Sequence, residues 1–525
     1  MKHIYTTTLF LCYCIINQYS FSQTPSIEWQ KTIAGAGQDD AYDIHETSDL
    51  GFIIAGRSYS TYSLDNFHNN GLSDFLVVKL NSNSEVVWQK NFGGSGEEEA
   101  YSIEETLDGG FIVAGYTYSN DIDVMNKTDN SADFWILKLD SGGNIQWQKI
   151  FGGSNNEFAK SVIQTQDLGY LITGHTFSND RDITLNKGMS DAWVIKTDQN
   201  GIIEWQKTFG GSNEDYSNSI IEAKDGGFTF TGSSRSNNGD LTSNHGYFDI
   251  WVVKIQTNGD ILWQKSIGDA DTDLAFDIEQ TLNNEYYVTG YSQSHEPGFK
   301  GLQDYIVLKL NPDGLLIWKK YYGGTESDQA HSIVATNDGG AIINGLSDSG
   351  NGDVHNNHTI TNGETDFWIV KINSEGIIEW ETTLGGSDSE SSYSGTVTSD
   401  GGYVTAGYAL SNDGDISESF GFDDVWVVKL KFNETSNAGI NLVKKDQTKF
   451  SVFPNPTNEA IHLKNWKTGN SILIEDINNK VLLNQICNEE IFEINLGNLL
   501  PSGLYFVKSI CNETNETQVE KVVLY

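Results

Sequence analysis

The chain has 525 residues, of which 72 are acidic and 32 basic, for a formal charge of −40. That balance argues against nucleic acid phosphates or an anionic membrane surface as partners, and is compatible with solubility or with cation binding. Residues 1–22 carry Lys2, an apolar stretch from Leu9 to Ile16 and Ser20-Phe21-Ser22 ahead of Gln23, the pattern of a signal peptide. The apolar run is too short to span a bilayer, and no transmembrane segment is expected. Cys12 and Cys14 would leave with it, so that Cys487 and Cys511 remain. A disulfide between those two and a pair of free thiols are both open readings.

From residue 26 one unit recurs seven times, marked by Trp29, Trp88, Trp147, Trp205, Trp263, Trp318 and Trp380 at spacings of 55 to 62 residues. Ten residues after each Trp stands an acid: Asp39, Glu98, Glu157, Asp215, Asp273, Asp328 and Glu390. Twenty-seven residues after it stands Gly, and each unit also holds an Asp five residues before a Lys, as in Asp133 and Lys138. Length varies only between that Gly and the next Asp.

Four strands fit each unit: A (100–106), B (111–117), C (133–139) and D (144–151) in the second, with Asp108-Gly109-Gly110 turning A into B. The array begins at 26–33 as a lone D strand and ends at 423–430 as a C strand with no D after it. Six complete units plus two halves predict an all-β fold, a seven-bladed β-propeller over 23–430 whose N-terminal strand completes the last blade, leaving no long edge unpaired. If the strands alternate in direction, the short A–B and C–D turns share one face. The D–A and variable B–C loops, with 13 to 20 residues between Gly and Asp, share the other, where a binding surface would be diversified.

Residues 431–449 read as a polar linker, and 450–525 as short strands broken by Asn, Gly and Pro, a small β-sandwich. In this segment stand Pro454-Asn455-Pro456, a strand Ile474-Glu475-Asp476 with Lys480 after its turn, Gly503-Leu504-Tyr505 and a terminal Lys521-Val522-Val523. It resembles the type A C-terminal sorting domain of the type IX secretion system of Bacteroidota. The resemblance implies passage through the outer membrane by that machinery, with release or surface attachment. The repeats, as in FGGSGEEEAYSIEETLDGGFIVAGYTYS (92–119) and DFWILKLDSGGNIQW (133–147), resemble the SBBP type of β-propeller repeat, which implies a fold and a surface location but no single activity.

A residue present in every blade is expected to serve what all blades share. Each blade acid should therefore satisfy backbone N–H groups in its own loop or pair with the strand C Lys, and the Trp of each WQK should pack between blades. Within the variable loops SNDIDV (119–124), SNDRDI (178–183) and SNDGDI (411–416) recur, with relatives at 236–241 and 349–354. Asp121, Asp123, Asp180, Asp182, Asp413 and Asp415 are candidate calcium ligands, because hard cations take carboxylate oxygens, and equally candidate formers of Asx turns. Asp269, Asp271 and Asp273 form a second calcium-like run, and His355 and His358 near Asp353 a candidate metal pair. No cofactor is otherwise expected.

No Gly-x-Ser-x-Gly elbow and no bacterial sialidase-type Asp box occur, and no catalytic residue is singled out. The favoured reading is a secreted or cell-surface, non-catalytic module binding glycan or protein through the variable loop face. A secreted carbohydrate-active hydrolase or lyase with loop carboxylates, and a purely structural envelope component, remain as alternatives.

Overall fold

The computed structural model describes residues 24–33, 35, 37–60, 69–358 and 363–432, together with the β-strand segments between 451 and 524. The expected signal peptide, 1–22, and all of the expected linker beyond residue 432 fall outside them. The chain divides into two units, Met1–Thr435 and Ser436–Tyr525. No helix occurs among the described residues.

The first unit consists of seven four-stranded antiparallel sheets that follow one another as propeller-like blades. The second blade is Glu98–Glu105, Phe111–Thr117, Asp133–Leu139 and Ile145–Phe151, the strands A to D read from the sequence. In the seventh, Ser26–Ile33 pairs with Asp424–Lys431 as the fourth strand. Every junction between blades is made by the same bond: the blade acid's N–H donates to a carbonyl just before strand C of the preceding blade, as in Glu98 to Ser73 (2.9 Å) and Asp215 to Ser190 (2.9 Å). Asp39 makes it to Asp423 at 2.7 Å, so the last blade meets the first as any other pair does.

Strands B and C are buried on both faces, whereas strand D at the rim is half-buried over most of its length. The two Trp columns explain the WQK motif. The strand C residues Trp135, Trp193, Trp251, Trp368 and Trp426 are fully buried, and each indole N–H needs an acceptor. Gln148, one residue after the repeat Trp, accepts it from Trp135 at 3.0 Å, and Gln30 does so for Trp426 at 2.9 Å. The repeat Trp reaches across to the next blade, where Trp88 donates to Ser141 O at 3.0 Å and its ring meets Phe111 edge-on. Gly143, in the turn below that ring, has φ of 74°, and a Cβ there would lie 2.9 Å from the indole.

Strand A carries a β-bulge at the same place in all seven blades, three residues after the acid, where one residue is left without a partner on strand B. The bulge explains the Gly found 27 residues after each Trp. Gly115 faces it, and a Cβ on Gly115 would stand 1.8 Å from the carbonyl oxygen of Glu99.

The second unit contains a three-stranded sheet ordered Ser451–Phe453, Ala460–Lys464, Phe492–Asn495, and a four-stranded sheet ordered Val481–Ile486, Ser471–Asp476, Gly503–Ile510, Thr517–Leu524.

Candidate functional site

The acids repeated in every blade are occupied by the backbone. At the second blade the four successive amides of Gly93, Gly94, Ser95 and Gly96 donate to Asp123 (3.3 Å), Glu98 (2.8 Å), Asp121 (2.8 Å) and the Ser119 hydroxyl (2.7 Å). The third blade repeats this with Asp182, Glu157, Asp180 and Ser178, and the seventh with Asp415, Glu390, Asp413 and Ser411. In the fourth and sixth blades Asn238 and Asn351 stand where Asp121 does, so an amide oxygen suffices there. Asp215 and Asp328 accept the second amide in those blades, while Asp39 accepts Gly35 N and Asp273 accepts Asp269 N. The motifs Gly-Gly-Ser and Ser-Asn-Asp-x-Asp are thus the two halves of one clamp, joining the D–A loop to the B–C loop. Among the described residues, no group of three or more His, Cys, Asp or Glu is placed to hold a metal ion. His355 lies 3.1 Å from Glu381, and His358 lies 2.7 Å from Asp366.

The strand C Lys does not meet the blade acid. Antiparallel pairing puts it at the other end of the blade, where Lys138 reaches Asp108 of the A–B turn at 3.0 Å and Lys79 reaches Asp49 at 2.9 Å. Lys309 instead takes Glu285 at 2.9 Å.

What differs from blade to blade is the bulge residue. It is Tyr42, Tyr101, Lys160, Asn218, Phe276, His331 and Tyr393 in the first to seventh blades, and all seven line a cavity of about 640 Å³ whose entire wall is strand A. A bulge re-aims the side chain it carries, here into the axial channel. From the fifth blade round to the second the rings touch in sequence: Phe276–His331 at 5.6 Å, His331–Tyr393 at 4.9 Å, Tyr393–Tyr42 at 5.2 Å and Tyr42–Tyr101 at 4.9 Å. Lys160 follows, its ammonium 3.3 Å from the centre of the Tyr101 ring. Burial lowers the Lys160 ammonium to about 8 against the pull of Glu99, and holds the His331 imidazole down at about 4.

Further along the channel lie Asp43, His45, Glu104, Asp277 and Glu279. Asp43 accepts Ile103 N of the next blade and the Ser394 hydroxyl of the last, both at 2.9 Å, and Asp277 accepts Ile333 N at 2.9 Å. Burial works against a charge on His45, but Asp43, with Glu104 and Asp277, outweighs it and carries the imidazolium up to about 9. Burial, reinforced by Asp277, pushes the Glu279 carboxyl up to about 7.

Aromatic rings also run from the channel over the loop face of the second to fourth blades. Tyr101 meets Tyr116, which meets Tyr118 and Phe158. Phe158 meets His175, and His175 meets both Phe177 and Tyr216, which stacks on Phe248, at centroid separations of 4.7 to 6.1 Å. Tyr118 and Phe177 stand at the start of their B–C loops, and Tyr247 beside Phe248 is 63% exposed. In the first blade Arg57 replaces the belt, pairing with Asp40 at 2.6 Å and Glu99 at 2.5 Å.

Residues 451–525 match the family described as the secretion system C-terminal sorting domain. The C-terminal segment is a type IX sorting domain. The chain is accordingly secreted cargo of that machinery, located outside the cell or on its outer surface. Of the residues that carried the resemblance, Gly503 and Tyr505 lie in strand Gly503–Ile510 and Lys521 in Thr517–Leu524, in a register that pairs Tyr505 with Val522 and Lys521 with Phe506. Pro454, Asn455 and Pro456, like Cys487 and Cys511, lie outside the described residues. No helix among the described residues is long and apolar enough to cross a membrane.

No significant match was found among curated proteins. Among solved structures the chain is similar to the Pan2 WD40 domain of Neurospora crassa, with 11% identity over 79% of this chain and 98% of that one and a TM-score of 0.40. It is similar too to PorZ, a surface component of the type IX secretion system of Porphyromonas gingivalis, with 10% identity over 96% and 86% of the two chains and a TM-score of 0.24. A puromycin hydrolase gives 8% identity over 74% and 51%, with a TM-score of 0.40. Likenesses of this strength carry no inference about ligand or activity.

Proposed function

We propose that this protein is a non-catalytic glycan-binding module exported by the type IX system: a closed seven-bladed β-propeller followed by a sorting domain built as a small β-sandwich. The observation that carries the reading is the unbroken line of aromatic rings from the loop face of the second to fourth blades into the axial channel. Aromatic side chains with a polar edge suit ligands that are apolar on one side and wet on the other, as sugar rings are. The corresponding positions of the sixth blade are Gln329, Leu346 and Asp348, so the belt is not a requirement of the fold. Asp121, Asp123, Asp180, Asp182, Asp413 and Asp415, the acids a loop-borne hydrolase would draw on, accept backbone amides, which favours binding over catalysis and an Asx-type role over calcium.

The test is a glycan-array screen of the full chain beside a Tyr118→Ala, Phe177→Ala double variant. Both rings start surface loops, so the variant should melt as the parent does. The expected result is retention on a subset of glycans that the double variant loses. No retention on any glycan would transfer the loop face to a protein partner.

A further inference from the structure

Resting on that reading and extending it, we infer that the axial channel is an end-binding subsite for a glycan that terminates in a single uronic acid, with Lys160 as the anchor of its carboxylate. Each strand C Lys has a carboxylate partner, as Lys138 has Asp108 and Lys196 has Asp167. Lys160, the one lysine on the channel wall, makes no hydrogen bond and no ion pair among the described residues; its ammonium sits over the Tyr101 ring. Glu99, the acid that acts on this half-buried ammonium, is already engaged by Arg57 and the Tyr101 hydroxyl, so the ammonium lacks a carboxylate of its own, and a ligand carboxylate supplies one.

The remaining wall matches the rest of such a ligand. Five of the seven bulge residues are rings in mutual contact, and the two that interrupt them, Lys160 and Asn218, are polar neighbours on the third and fourth blades. A sugar ring seated with its C–H edges toward the rings would present its carboxylate to that polar gap. Beyond the rings, Asp43, Glu104, Asp277 and Glu279 offer carboxyl oxygens that accept hydrogen bonds, and a sugar's hydroxyls are donors. Away from Lys160 this acidic lining disfavours further anionic groups, so the channel suits one carboxylate beside that ammonium on an otherwise neutral saccharide rather than a polyanion. A volume of about 640 Å³ falls within the range of small-ligand pockets, and the belt from Tyr101 to Phe248 gives the rest of the glycan a path across the loop face.

The test is calorimetric titration of the full chain with a glucuronic-acid-terminated oligosaccharide and with the same compound after carboxyl reduction to its neutral form. The native acid should bind at least about tenfold more tightly, the scale of one charged hydrogen-bonded pair. Lys160→Met should erase that preference with melting unchanged, and Lys160→Arg should keep most of it. The preference should also fade as the pH rises through about 8, where the free ammonium loses its proton. Equal binding of the two compounds by the parent protein, which needs no variant, would overturn the subsite while leaving glycan binding by the loop face standing. So would a preference that survives Lys160→Met. A preference for a short peptide bearing a free C-terminal carboxylate would replace the saccharide with a protein terminus. Failure of both oligosaccharides together with a blank glycan array would remove both readings.

Discussion

The amide clamp and the bulge tier lie a few residues apart on the same strands, yet one hardly varies around the ring and the other changes at almost every blade. The second residue of the clamp loop donates to Glu98, Glu157, Asp215, Asp328 or Glu390 wherever the Gly-Gly-Ser pattern or its close relatives occur. Three residues later along strand A the side chain is Tyr, Lys, Asn, Phe or His. Repetition therefore marks what every blade needs in order to fold, and departure from repetition marks where the molecule does something once. The acids, the most conspicuous residues of the repeat, belong to the first class, and Lys160 to the second.

Breaking the repeated part should cost most. Gly115→Ala would drive a Cβ into the Glu99 carbonyl and against Phe75, and unfolding in denaturant should show a loss of about 3 kcal/mol or more. Glu98→Ala removes the acceptor of the Gly94 amide, the Thr117 hydroxyl and the Ser119 amide; the same measurement should show a loss of about 2 kcal/mol. A melting point unchanged by Glu98→Ala would dissolve the contrast between the clamp and the tier.

The strand C acids give a smaller effect with a definite sign. Burial raises Asp74, Asp133, Asp191 and Asp304 from 3.8 to about 7. Such groups hold a proton more tightly folded than unfolded, so they favour the folded state at low pH, and that contribution is lost as pH rises from about 4 to about 7. The melting point should accordingly be higher at pH 5 than at pH 8. Asp74 has one carboxylate oxygen on Asn70 N and the other buried with no partner among the described residues. Asp74→Asn keeps the first contact without the charge, and should stabilise the protein at pH 8 by about 1 kcal/mol while leaving it nearly unchanged at pH 5. The smallest expected effect is that of calcium. The loop carboxylates already accept the amides of the clamp, so millimolar calcium should not shift the melting point, and a clear upward shift would return those loops to the ligand class.

Much of the blade was legible because its columns align without gaps. The paired Asp and Lys of strand C, the Trp of strand D and the lone strand at 26–33 set the number of blades and their closure before any coordinates. The clamp was only half legible, since its loop acceptors Asp121 and Asp123 lie 26 and 30 residues from their amides in sequence, and Asp-x-Asp beside Gly reads equally as a calcium loop. The Lys partner was misplaced as one of two options because sequence spacing does not say which end of an antiparallel strand a side chain reaches. The bulge tier was missed, although Tyr42, Tyr101, Lys160, Asn218, Phe276, His331 and Tyr393 form a column three residues after the acid. Reading that column for its differences, rather than the acids for their constancy, would have found it.

The most direct test of the account is hydrogen exchange of the full chain with and without a glycan retained on the array. Binding through the aromatic belt and channel should slow exchange in 98–118 and 157–177, and leave the A–B and C–D turns of the fifth to seventh blades as they were. Protection confined to those turns, or spread equally over all seven blades, would contradict the claim that function resides where the blades differ.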